Sequence, residues 1–108
     1  MPPNTTFIPT AFNGQTPNDG ISGADQGIAL AVGSTTPTVY FSNAADSDRG
    51  VFYAANAPAT PASCGSNTNG AVVVNITKSS VLPNLPAATG RGTPANSYGF
   101  VRFRAKVK

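Results

Sequence analysis

A chain of 108 residues is long enough for one domain, which on folding should bury roughly 65% of the surface its unfolded form exposes. Its net charge of +3 rests on seven basic and four acidic side chains, so the long-range field is weak and a basic pI does not by itself imply nucleic-acid binding. Histidine and glutamate are absent, which removes the commonest general acid/base groups and metal ligands and argues against an enzyme or a cofactor-dependent protein.

Alanine makes up 16 of the 43 apolar residues, so the larger side chains can fill only a thin core. A two-layer β architecture suits such a core. Glu is missing, Gln occurs twice and Lys three times, whereas Thr, Ser and Asn supply 31 positions. That balance disfavours long helices. The 11 glycines and 10 prolines punctuate short extended segments.

The first β-prone segment is Thr6-Phe7-Ile8, stopped by Pro9, and Asn13-Gly14 with Pro17-Asn18-Asp19-Gly20 reads as a loop. From Gly27 to Val32 the pattern alternates, with Ile28, Leu30 and Val32 on one face and alanines on the other. Thr38-Val39-Tyr40-Phe41 and Val51-Phe52-Tyr53 follow as strands. Residues 54–70 are small and polar and form a long exposed loop closed by Asn69-Gly70. Ala71 to Thr77 is a strand with Val72, Val74 and Ile76 on one face. Residues 79–97 form a second long loop around Val81, Leu82 and Leu85. In the last strand, Tyr98 to Lys108, Val101, Phe103, Ala105 and Val107 alternate with Arg102, Arg104, Lys106 and Lys108, which places the apolar set inward and the cations outward. Six strands and two long loops describe a single all-β domain over residues 1–108, an antiparallel sandwich with long Gly/Pro/Ser/Asn-rich loops. The longest clean apolar run, Ile28 to Val32, is too short for a membrane span, and no membrane insertion is expected.

Three places carry a likeness to a known family: Pro3-Asn4-Thr5-Thr6-Phe7, Ala45-Asp46-Ser47-Asp48-Arg49-Gly50, and the run from Tyr98 through Val107. Together they resemble the conserved-repeat domain of bacterial and archaeal surface proteins, a domain of unknown function. Members read as a proline-containing turn into a Thr-Thr-Phe strand, an Asp-rich loop ending in Gly, and a final Gly-x-Val-x-Phe-x-Val strand. The resemblance spans nearly the whole chain and implies an immunoglobulin-like β-sandwich on secreted or surface-anchored proteins, commonly in tandem. One feature departs from it, since in the family strands precede the Thr-Thr-Phe turn whereas this chain starts at Met1-Pro2. The expectation is either a fragment or a sheet vacancy filled by a neighbouring subunit; the tail from Tyr98 to Lys108 is one candidate donor, and the favoured one is an extended arm of residues 1–12 with Phe7, Ile8 and Phe12 as its apolar contacts.

Few constellations carry chemistry. Asp46-Ser47-Asp48-Arg49-Gly50 opens like a calcium loop, making Asp46 and Asp48 metal candidates ahead of the weaker Asn18-Asp19-Gly20 with Asp25, but position twelve would be Ala57 and Arg49 repels a cation. A solvated turn explains the motif better. Cys64 sits among small residues without an imidazole to activate it and reads as an inert or partner-linked thiol. Lys78-Ser79 cannot act as a Ser–Lys pair, because adjacent strand residues face opposite ways. Asn4-Thr5-Thr6 and Asn75-Ile76-Thr77 are formal glycosylation sequons. Tyr40, Tyr53 and Tyr98 would have to replace the tryptophan platform of a carbohydrate-binding module.

Arg102, Arg104, Lys106 and Lys108 form a stripe of cations about 6.7 Å apart, able to meet an acidic neighbour or simply to protect a solvated face. The expected function is a non-enzymatic extracellular structural module of a bacterial surface or secreted assembly, such as a fibre subunit or adhesin segment using strand exchange. A phage capsid decoration or other virion surface protein is the alternative. Expected partners are copies of itself or neighbouring repeat or capsid subunits, with no specific nucleic acid.

Overall fold

A computed structural model describes residues 1–9, 27–37, 39–46, 48–76 and 85–108. Phe12, the Asn13 to Asp25 stretch, Lys78-Ser79 and the anchors Val81 and Leu82 lie outside the described residues. Seven strands are described: β1 (Thr5–Phe7), β2 (Ile28–Val32), β3 (Val39–Phe41), β4 (Gly50–Tyr53), β5 (Ala71–Val74), β6 (Gly99–Phe103) and β7 (Ala105–Val107). Every segment read as β-prone contains one, and the final run is divided at Arg104 between β6 and β7. Among the described residues the helical pieces are single 3-10 turns at Ala62–Cys64 and Ala95–Ser97. The protein is therefore all-β, as the scarcity of helix formers requires.

The strands form small antiparallel sheets with the order β3-β2-β6, a β4-β5 pair and a β1-β7 pair. β2 is central because it is apolar on one face and small on the other. Ile28 and Leu30 are buried with Val39 and Phe41, which stand opposite them in β3. Ala29 and Ala31 are buried too, so both faces of β2 are covered. Their small size lets the Ala95–Ser97 turn approach, and Gly33 admits the closest contact: a Cβ there would stand 2.7 Å from the Ala95 carbonyl oxygen, at a φ of +68° that favours glycine.

Phe7 joins the pieces. It is buried, stacks on Phe52 of β4 with ring centroids 4.2 Å apart, and lies tilted against Phe103 of β6 at 6.4 Å. Phe52, Val72 and Val74 bring the β4-β5 pair against the cluster of Phe7, Ile28, Leu30, Val39 and Phe41. Burial of each of these large side chains stabilises the fold by about 1.5–3 kcal/mol. Two sequence expectations change here. Ile76 does not continue the inner face of β5, because that strand ends at Val74 and Ile76 falls in a turn, 48% exposed. The last strand also does not carry its apolar set into a closed core, as described next.

Candidate interaction surface

Among the described strands β6 pairs with β2 alone and β7 with β1 alone, so within these sheets the C-terminal run is an edge strand. Register explains its two faces. Val101 stands opposite Leu30 and Phe103 opposite Ile28, and directly opposed residues share a sheet face, so Val101 and Phe103 do lie on the core side. They are nevertheless 44% and 40% exposed, and Val107 is 80% exposed, since no described strand stands beyond them. The alternation predicts the face, but no described strand supplies the neighbour that would bury it.

On the opposite face Arg102, Lys106 and Lys108 are exposed, whereas Arg104 is half-buried. Tyr98 and Phe100 flank these cations, both exposed, in an edge-to-face pair with centroids 6.4 Å apart. The Tyr98 hydroxyl donates to the Gly33 carbonyl at 3.1 Å, which holds that ring at the end of β2. Tyr40 and Tyr53 are half-buried on β3 and β4.

Of the residues expected to form a donated arm, the described ones, 1–9, sit within their own chain. β1 pairs with β7, Phe7 is in the core, and Ile8 donates its N–H to the Arg104 carbonyl at 3.0 Å. The Met1 ammonium donates to the Gly70 carbonyl at 2.6 Å. An arm leaving this position would break those bonds and withdraw Phe7.

Family models, characterised proteins and solved structures offer no match to this chain. Its own geometry must carry the functional reading.

The Asp-rich loop is occupied with its own backbone. Asp48 is buried, and its two carboxylate oxygens accept from the N–H groups of Ser42 at 2.8 Å and Gly50 at 2.6 Å. Asp46 accepts from the Asp48 N–H at 2.9 Å and from the Ser42 hydroxyl. Both aspartates thus act as acceptors that shape the turn into β4, a role built from side-chain-to-backbone bonds. Arg49, which the sequence places in a solvated turn, is instead 2% exposed, and one guanidinium N–H points to the Ile76 carbonyl at 3.4 Å. Burial lowers its pKa by disfavouring the charged form. Nothing in Asp-Ser-Asp-Arg-Gly distinguishes this arginine from an exposed one.

Asn43 was also invisible in the sequence. Its side-chain oxygen accepts from the Gly27 N–H at 2.9 Å and its amide donates to the Pro9 carbonyl at 2.6 Å, tying the chain after β1 to the chain before β2. Residues 54–70 form the expected exposed loop, but with internal bonds: the Asn67 amide donates to the Ala54 carbonyl at 2.7 Å and the Thr60 hydroxyl at 2.9 Å. Exposed Cys64 lines a polar cleft of about 70 Å³ with Met1, Ser66, Asn67 and Asn69.

Proposed function

We propose that this domain is a non-enzymatic structural module of an extracellular bacterial surface or secreted assembly. The observation that carries this reading is the edge strand from Tyr98 to Lys108, apolar on its core-side face, cationic on the other, and exposed at every residue but the half-buried Arg104. A soluble domain acting alone gains nothing from such an edge, which is a template for pairing. In an assembly the same edge becomes a joint. The packing of the β4-β5 pair over Ile28, Leu30, Val39 and Phe41 supports a two-layer, immunoglobulin-like sandwich in this reading, as does the resemblance to the conserved-repeat surface domains. No cofactor is required by it, and the sequence offers neither His nor Glu for acid/base turnover.

Immunogold electron microscopy of native material, with antibody raised against the domain, tests the proposal. Label on the cell envelope or on secreted filaments is the expected result. Label on virus-like particles would transfer the domain to the virion class, and label confined to the cell interior would overturn both.

A further inference from the structure

The C-terminal run is hydrogen-bonded along one edge. The carbonyls of Tyr98 and Arg104 accept from the N–H groups of Gly33 and Ile8, each at 3.0 Å, and the Lys108 N–H donates to the Asn4 carbonyl at 2.9 Å. The even-numbered backbone groups therefore face β2 and β1. Bonding direction alternates along a strand, so the N–H and C=O groups of Gly99, Val101, Phe103, Ala105 and Val107 point the other way, where no described strand lies. Beside them stand the exposed side chains of Val101, Phe103 and Val107.

Parity restricts what can pair there. In an antiparallel ladder, opposed residues either both bond toward each other or both bond away. A second copy docking antiparallel by the same edge must then align odd residues with odd and even with even, which sets the cations of one chain against the cations of the other. Like charges directly opposite are destabilising. The chain does not contain the complement either: its aspartates are Asp19, Asp25, Asp46 and Asp48, none within an alternating apolar run, and Asp48 is buried.

We infer that the free edge of Gly99–Val107 receives an extended strand of a different protein in which Asp or Glu alternates with β-branched or aromatic residues. Such a strand bonds the outward backbone groups, covers Val101 and Phe103, and sets carboxylates opposite Arg102 and Lys106. This deepens the assembly-module reading and rests on it. Failure at this edge would leave the envelope localisation standing, and an intracellular localisation would leave the binding result standing.

The full chain is titrated with a synthetic peptide of alternating Glu and Val, about as long as the edge strand, while backbone amides are followed by NMR. Expected are saturable shifts at Gly99–Val107, new hydrogen-exchange protection at the odd-numbered amides, and weaker binding as salt rises from about 0.1 M to about 1 M, which shortens the Debye length from about 10 Å to about 3 Å. Val101→Pro removes a donor on the free edge and none from the β2 ladder, and should weaken binding about tenfold or more. The pair Arg102→Glu and Lys106→Glu should transfer preference to an alternating Lys-Val peptide, which keeps the inference testable if the proline variant does not fold. Equal binding of a peptide with the same residues in two blocks, tighter binding of single-stranded DNA at the same residues, or dimerisation of the wild-type chain through this edge at low salt would each overturn it.

Discussion

Asp48 shows how one buried carboxylate can serve structure. With its oxygens bonded to the N–H groups of Ser42 and Gly50, it holds the end of β3 beside the start of β4. Asp48→Ala leaves both donors without that acceptor, and about 1–3 kcal/mol of stability should be lost in urea unfolding, with Asp48→Asn costing less because one oxygen is retained. A negligible loss on Asp48→Ala would show that the acceptors are unimportant. Gly50 makes a second point about close packing. A Cβ at Gly50 would come 2.5 Å from the Cβ of buried Phe41, so Gly50→Ala forces a core ring or its strand to move. Overpacking of this kind costs about 1–3 kcal/mol, and a thermal melt unchanged by Gly50→Ala would contradict the observed contact.

The short β1 strand contributes more than its length suggests. Its ladder to β7 is only three residue pairs long, but Phe7 reaches from it to Phe52 and Phe103. From the sequence, deleting residues 1–12 is expected to abolish assembly and leave a soluble, partly folded monomer. Within the folded chain the same deletion removes a core aromatic, and losing a buried Phe typically costs about 3–5 kcal/mol, a large share of a small domain's stability. The truncated chain should therefore lose its cooperative unfolding transition by circular dichroism. A truncated chain that still melts cooperatively near the full-length temperature would restore the arm as a detachable element. β6 behaves in the opposite way, bonded along β2 yet exposed on both faces, because it ends the sheet.

For the whole molecule the main balance is between an apolar edge that no described strand pairs and the cations that keep copies apart. Arg102, Lys106 and Lys108 lie on the edge strand itself, where charge opposes edge-to-edge association. Neutralising Arg102 and Lys106 to Ser should thus raise the apparent mass in light scattering at concentrations where the wild-type chain stays monomeric. If the neutralised chain is no more associated than the wild type, the cations do not guard the edge.

Local pattern determined much of this protein. The alternation in Ile28–Val32 and Tyr98–Lys108 fixed strands and their faces, because side chains on a strand alternate whatever surrounds it. The absence of Glu and the wealth of Thr, Ser and Asn fixed the all-β class for the same local reason. What a strand meets is not local. Only the tertiary structure decided that Ala29 and Ala31 are covered, that Phe7 closes its own core, that Arg49 is buried, and that Asn43 ties Pro9 to Gly27. It also decided that Val101 and Phe103, patterned as core residues, line an open edge, since burial depends on which strand comes next in the sheet and a residue's own alternation carries no record of that neighbour.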